Sequence, residues 1–368
     1  MAQVRQNPAQ VGSNPAISLD IFVTALSKTL LNPFVASLFP LGLRALAIPY
    51  SASIFIVTST FAAIVCTYAI LAYINQRIAY GPSREINWEK EVVVITGGCG
   101  GLGGCLAEIY ALRGVAVAVI DIAVSKQDHG KEREGVWYYQ CDLYHQDDIK
   151  TTWSKITASL GSPTILINNA ATSMSATVRE HDLDSIDRIF RVNAVSQFTT
   201  TQLFINSLSS KKRGGTIVTV SSVVAHLNPS HLAAYSASKA AITAYHNTLA
   251  IELAGSMPTM KMVLVAPGQL DTKLFKDMRL NGWLPKFVAP VVSAGELAIK
   301  IVAMIDRGKA GEIRMPFYAE WAVLLAALPM SIQQMLRRLS GIDEAVKETR
   351  RQEDSGSDSS SLEDSDSE

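Results

Sequence analysis

Cysteine is scarce in this chain. Cys66, Cys99, Cys105 and Cys141 are the only four among 368 residues, and no Cys-x-x-Cys pair occurs. That pattern argues against a small disulfide framework. Histidine is nearly as rare, with six residues, no His-Glu-x-x-His motif and no cluster with cysteine, so no metal site is expected. A charge bias is also missing. Lys+Arg and Asp+Glu both number 33, for a formal net charge of zero, and no basic excess points to nucleic acid. No Asn-x-Ser/Thr acceptor has a permitted middle residue. With the scattered cysteines, this fits a domain facing the reducing cytosol. What the chain has in quantity is apolar sequence. The hydrophobic fraction is 48% and the mean hydropathy is +0.19, which points to a membrane-associated part in addition to one large or two small domains.

The character changes along the chain. Residues 1–16 are polar and broken by proline, and are expected to be disordered. Residues 17–80 read as membrane-associated and transmembrane helices. In residues 17–31, Leu19, Phe22, Val23, Leu26 and Leu30 share a helical face, which suits either a membrane interface or an ordinary surface helix. No charge lies between Arg44 and Arg77, and residues 53–74 are apolar over a length that crosses the ~30 Å hydrocarbon layer. Pro40 and Pro49 leave a hairpin within one leaflet as the rival to a single span. From about 88 to 318, short Val/Ile-rich runs alternate with helical stretches. The pattern predicts an α/β fold with a doubly wound parallel sheet. A C-terminal amphipathic helix is expected over 319–345, with Ile332, Met335, Leu336 and Leu339 on one face and Arg337 and Arg338 near its end. The remainder, 346–368, is an acidic, Ser-rich stretch expected to be a disordered tail.

The chemistry concentrates at a few motifs. "TGGCGGLGG", residues 96–104, follows a strand and opens a helix. Glycines there permit a tight turn and a close backbone approach to a pyrophosphate resting on the helix N-terminus. Asp121 ends the second strand, where a carboxylate can accept hydrogen bonds from ribose hydroxyls and would repel a 2′-phosphate. With no cation among residues 98–100, this favours NAD over NADP; Lys126 is the nearest cation. Asp142 follows the third strand and is expected to meet the adenine. Tyr235 and Lys239, four apart, share a helix face.

Taken in order, these motifs resemble the short-chain dehydrogenase/reductase family over about residues 91–318. The TGxxxGxG signature is met by Thr96, Gly97, Gly101, Leu102 and Gly103, and Asn168-Asn169-Ala170-Ala171 is similar to the family's Asn-Asn-Ala-Gly stretch. The resemblance implies a Rossmann fold and a catalytic set of Asn193, Ser222, Tyr235 and Lys239. It also implies cofactor contacts from Asn169, Ala170, Tyr235, Lys239, Pro267, Gly268 and Thr272. Ala171 departs from the family's glycine, and its methyl is expected to crowd the nicotinamide side. In the implied chemistry Tyr235 exchanges the proton. A free phenol titrates near ~10, so bringing it to ~7 takes about 4 kcal/mol of preferential phenolate stabilisation from a nearby ammonium and the cationic nicotinamide ring. Lys239 would also bond the nicotinamide ribose, Ser222 would hold the substrate oxygen, and Asn193 would position a water in a proton relay.

After Pro267-Gly268 comes a stretch with Leu274, Phe275, Met278, Leu280, Trp283, Leu284 and Phe287, which reads as an apolar substrate lid. Anchor and lid together resemble the family's membrane-bound retinol and hydroxysteroid dehydrogenase branch. The expected partners are a lipophilic small-molecule substrate (a retinoid, sterol or long-chain alcohol or carbonyl), a membrane and a second copy of the chain as a homodimer. The expected location is the endoplasmic reticulum or a lipid droplet, with the catalytic domain in the cytosol. Two alternatives stay open: an NADPH-dependent lipid-synthesis reductase such as a 3-ketosphinganine reductase, and a non-catalytic membrane scaffold.

Overall fold

The computed structural model describes residues 18–125, 127–209, 214–272, 274, 283–344 and 346–347. They divide into two compact units, Pro15–Pro82 and the residues from Ser83 onward.

The first unit holds three helices, α1 (Leu19–Lys28), α2 (Pro33–Ala45) and α3 (Ser53–Tyr80). Ser18 caps α1 and Asn32 caps α2, each accepting from backbone N–H groups of the first turn. Pro33 follows its cap at the first helical position, where a missing N–H costs nothing. Pro40 lies inside α2, and Pro49 falls in the break before α3. The bend therefore sits elsewhere than at Pro40: the axes of α1 and α2 meet at 54° across the break between them. Helices α2 and α3 pack through small side chains, with Ala36, Ala62 and Val65 buried and Ser37 Oγ 3.6 Å from Cys66 Sγ. The helix continues past 74 through the more polar Asn75-Gln76-Arg77 to Tyr80, so α3 has 28 residues, about 42 Å at ~1.5 Å per residue. Much of it is exposed apolar surface, including Ile54, Val57, Ile64, Ile70 and Leu71.

The second unit is built on one eight-stranded sheet. In chain order its elements are β1 (Val92–Thr96), α4 (Gly101–Leu112), β2 (Ala116–Asp121), β3 (Lys131–Arg133), β4 (Val136–Gln140), α5 (Gln146–Leu160) and β5 (Ile165–Asn168). Then come α6 (Leu183–Phe190), a π-helical turn (Arg191–Val195), α7 (Ser196–Ser209), β6 (Thr216–Val220), α8 (Val224–Leu227), α9 (Ala233–Ser256) and β7 (Lys261–Pro267). The last are α10 (Trp283–Val288), α11 (Ala294–Asp306), β8 (Gly311–Met315), α12 (Tyr318–Ala326) and α13 (Met330–Ser340). The strand order is β3-β4-β2-β1-β5-β6-β7-β8, parallel except for the β3–β4 hairpin. The order reverses between β1 and β5, which creates the crevice at the carboxyl ends of the strands where such folds bind ligands.

Both faces of the sheet are covered, so its strands alternate between two cores. Val93 and Ile95 pack with Leu102, Leu106 and Tyr110 of α4 and Leu297, Ile301 and Ile305 of α11. Val94, between them, points to the other face and meets Ile149, Trp153 and Ile156 of α5, Phe204 of α7 and Leu249 of α9. The edge after the first unit is tied down by a buried ion pair, Arg84 to Glu91 at 2.7 Å, while Arg84 N donates to Gly308 O at 2.8 Å.

Three expectations need correction. β3 and β8 have no long apolar run and escaped the pattern: β3 is a three-residue exposed edge strand, and β8 alternates with charged Glu312 and Arg314. The single C-terminal helix is two, because Pro329 cannot continue α12 and instead precedes α13. The boundary at 346 also moves. Val346 is helical and only 2% exposed, so folded chain runs further than the charge pattern suggests.

Candidate active site

The turn after β1 is shaped by backbone contacts that leave no room for side chains. Gly97 has φ +67° and Gly101 φ +54°, a region that favours glycine. A Cβ on Gly97 would lie 2.8 Å from Ala170 Cα, and one on Gly103 would lie 2.2 Å from Gly97 O. Helix α4 can thus enter the sheet closely, with its N-terminal amides toward the crevice. Thr96 Oγ1 accepts from Asn169 N at 3.0 Å and Ala170 N at 3.1 Å, and Asn169 Nδ2 donates to Thr96 O and Gly97 O at 3.1 and 2.9 Å. β1, its turn and the end of β5 are therefore one braced unit. Leu102 is buried beneath it, and the Thr272 methyl faces Gly101. Pro267 O accepts from Val223 N at 2.9 Å, and Gly268 N donates to Met315 O at 2.6 Å, which ties the end of β7 to its neighbours.

At the end of β2, Asp121 Oδ2 accepts from Cys99 N and Oδ1 from Ala123 N, both at 2.9 Å. The carboxylate is thereby fixed against the glycine turn. The Cys99 thiol beside it is pushed up to about 12 by burial and by the Asp121 charge, so it stays protonated. A cleft next to this point is lined by Cys99, Ala123, Ser125, Asp128, Arg133 and Tyr138. Arg133 was not expected there; the β3–β4 hairpin brings it in, and it pairs with Asp128 at 3.3 Å. Lys126 lies outside the described residues. Asp142 is already engaged, accepting from Tyr144 N and from Arg188 Nη2, both at 3.0 Å.

The proposed catalytic residues come from three elements and meet at one end of the sheet. Asn193 sits in the π-helical turn, a local distortion common at functional sites. It is fully buried, and Nδ2 donates to Thr172 O at 2.8 Å and Ser238 Oγ at 3.0 Å, while Oδ1 accepts from Thr172 N at 2.8 Å. Ser222, just past β6, donates to Pro267 O at 3.3 Å. Tyr235 and Lys239 lie on the inner face of α9, 3% and 1% exposed. The Lys239 ammonium is 5.6 Å from the centre of the Tyr235 ring and donates to Val220 O at 2.9 Å.

Burial pushes the Tyr235 phenol above its ordinary range, and burial pushes the Lys239 ammonium down to about 8. Each shift disfavours the charged form, as desolvation must. Lys239 is placed beside the ring and held by a carbonyl, so it does not by itself offset the desolvation of the phenolate. Ala171 packs against an apolar cluster of Val224, Leu232, Tyr235 and Val346. Of the apolar lid, Leu274 and Trp283 are exposed and Trp283 stacks on Phe287 at 5.3 Å. Phe275, Met278 and Leu280, and the side chain of Leu284, lie outside the described residues.

A parallel sheet with a glycine turn at its switch point, and a Tyr–Lys pair beside the same crevice, is the arrangement of an α/β dinucleotide-binding oxidoreductase. Comparison with known proteins narrows this. The family model for short chain dehydrogenases matches residues 91–282. The chain belongs to that family, whose members are oxidoreductases acting on CH–OH groups. It is 29% identical over 274 residues to the uncharacterized oxidoreductase TDA5 of Saccharomyces cerevisiae, covering 73% of this chain and 80% of that one. It is 30% identical over 206 residues to human estradiol 17-beta-dehydrogenase 11, covering 53% of this chain and 67% of the other. Among solved structures, a 4-hydroxyisoleucine dehydrogenase complexed with NADH superposes with a TM-score of 0.56 at 21% identity, over 62% of this chain and 99% of that one. A short chain dehydrogenase from Burkholderia cenocepacia in complex with NADP gives 0.55 at 24%, over 69% and 98%. These two share the fold.

Proposed function

We infer that this chain is a membrane-anchored, NAD-dependent dehydrogenase that interconverts an apolar lipid alcohol and its carbonyl. The observation that carries the reading is the Tyr235–Lys239 pair buried on α9 beside the carboxyl end of β6, where Lys239 donates to Val220 O and the buried Ser222 follows two residues on. The residues present fit a nicotinamide dinucleotide. Gly97 and Gly103 let the turn close tightly against Ala170 and Asn169, so that the N-terminus of α4 can face a pyrophosphate, and Asp121 is fixed where ribose hydroxyls would donate to it. Bound, the oxidised cofactor supplies the hydride acceptor and a positive ring. Tyr235 takes the proton of the alcohol, Ser222 holds the substrate oxygen by a hydrogen bond, and Lys239 holds the nicotinamide ribose while its charge favours the phenolate. Asn193, with both amide hydrogens committed within the protein, braces α9 through Ser238 and supports a water relay at this end of the site.

The lipid nature of the substrate rests on three features: the long apolar helix α3, which carries no charge before Arg77 in its last turn, the apolar cluster around Tyr235, and the likeness to a protein named as an estradiol dehydrogenase. An anchored enzyme with an apolar site can receive a substrate from the bilayer, on an endoplasmic reticulum or lipid-droplet surface with the catalytic unit in the cytosol. Arg133 favours a second reading, NADP use, because it lines the cleft beside Asp121. NAD is preferred because Asp128 already pairs with that guanidinium and Asp121 would repel a 2′-phosphate. The test is a screen of retinoid, sterol and long-chain alcohols and aldehydes with both cofactors, using detergent-solubilised full-length protein. The expected result is NAD-dependent turnover of at least one class, abolished in Tyr235→Phe with NADH binding retained. Near-normal hydride transfer by that variant, or a clearly higher kcat/KM with NADPH, would overturn the corresponding part.

A further inference from the structure

We propose that Val346, near the C-terminal end of the described residues, is a specificity-determining residue that forms a wall of the substrate pocket beside Tyr235, and that Arg337 and Asp343 position it. The inference rests on the reading of Tyr235 as the group that meets the substrate oxygen.

Whatever covers the Tyr235 phenol is what the substrate must touch. Val346 packs in one cluster with Tyr235, Leu232, Val224 and Ala171, and at 2% exposure it is inserted rather than laid on the surface. The residues that bring it there are anchored at definite points. Arg337, near the end of α13, donates to Leu227 O and to Asn228 O, the latter at 2.7 Å. Gly341 ends α13 with φ +64° and reverses the chain. Asp343 Oδ1 then accepts from Ser230 N at 2.8 Å and lies 4.0 Å from Arg337. All these anchors grip the loop from Leu227 to Ser230, which leads directly into α9 and Tyr235. Asn228 and His231 in the same loop hold φ +47° and +63°, a conformation non-glycine residues adopt at a cost. The C-terminal turn and the loop before Tyr235 are therefore one assembly, and its inward surface is apolar. Such a wall admits an apolar flank of the substrate and limits its bulk.

Nothing in the glycine turn or the Tyr–Lys pair requires this wall, so changes in it should alter substrate choice and leave NADH affinity unchanged. The experiment uses full-length enzyme in detergent and a panel of straight-chain, branched and cyclic secondary alcohols. Val346→Ala is expected to raise kcat/KM for branched and cyclic alcohols relative to straight-chain ones by about tenfold, the usual effect of one or two carbons in an apolar pocket. Val346→Phe is expected to shift the ratio the other way. Arg337→Ala should shift it in the same direction as Val346→Ala, with the NADH Kd unchanged, and Arg337→Lys should restore most of it. A second readout does not depend on turnover. Maleimide labelling of Val346→Cys, read by peptide mass spectrometry, should be slow in the resting enzyme, faster with Arg337→Ala, and altered by a saturating alcohol plus NADH. Ratios unchanged within twofold, or labelling indifferent to the alcohol, would overturn the proposal. Alcohol-dependent labelling without NADH formation from any panel member would support the wall and remove only the oxidoreductase reading.

Discussion

Thr96→Val tests the brace that holds the cofactor turn in place. Thr96 is 2% exposed, and valine has nearly its shape, so packing is preserved. What is lost is the oxygen that accepts from Asn169 N and Ala170 N at 3.0 and 3.1 Å. Its own donation to Ile167 O, at 3.5 Å, is too long to count for much. An unmet buried donor costs about 1–3 kcal/mol. Asn169 and Ala170 are half-buried, so water recovers part of this, and the pair together should cost about 2–3 kcal/mol. In a domain of this size that is a fall in Tm of roughly 5–10 °C. Asn169 Nδ2 still holds Thr96 O and Gly97 O, so the turn should loosen without collapsing, and NADH should bind more weakly. Thermal denaturation and NADH fluorescence titration of the detergent-solubilised protein measure both effects. Thr96→Ser keeps the hydroxyl and removes one methyl, at about 1 kcal/mol. The reasoning fails if Thr96→Val melts within about 1 °C of wild type, or if Thr96→Ser is equally damaging.

Other consequences are as specific. Gly103→Ala forces a methyl to within 2.2 Å of Gly97 O and 2.6 Å of Asn169 Nδ2, so it should cost about 1–3 kcal/mol and abolish NADH binding; a well-folded, cofactor-binding variant would contradict the close helix entry. Burial lowers His246 from its ordinary 6.5 to about 4, with its ring 2.9 Å from Thr219 Oγ1. The unfolded chain takes up a proton below 6.5 that the folded chain refuses until about 4, so stability falls as pH drops through that window, by about 2 kcal/mol at pH 5 relative to pH 7. Urea midpoints at the two pH values should show it, and His246→Gln should flatten the acid limb. Asp121→Ser should narrow the preference for NAD over NADP, with steady-state kinetics as the measure and an unchanged ratio as the refutation. Alkaline carbonate should leave the full-length protein in membranes, whereas a variant with several α3 leucines and isoleucines replaced by serine should be extracted; release of the wild type would remove the anchor.

Much of the nucleotide-binding half was legible in the chain because its constraints are local. A glycine needed for a positive φ at 97 or 101, a carboxylate closing β2, and a Tyr and Lys one helical turn apart are all visible within a few residues of sequence. The same holds for the strands buried on both faces, whose Val/Ile runs announce them. β3 and β8 escaped because an edge strand has no apolar run to betray it, and Arg133 went unnoticed because only the β3–β4 hairpin carries it to the cleft beside Asp121.

The chain alone therefore determined the parallel α/β architecture, the glycine turn, the Tyr–Lys pair and the long apolar helix, since each depends on residue type at short spacing. Tertiary structure decided what surrounds Tyr235 and Lys239. The charge pattern placed Val346 in a solvated tail, yet Gly341, Arg337 and Asp343 turn the chain back so that it packs in one buried cluster with Tyr235. Likewise the depth at which α9 sets Tyr235 and Lys239 is a tertiary outcome: burial raises the phenol, which the ammonium and a cationic nicotinamide ring together are expected to lower, and Lys239 donates to Val220 O. Both outcomes depend on which distant segments pack together, and no short-range pattern records that.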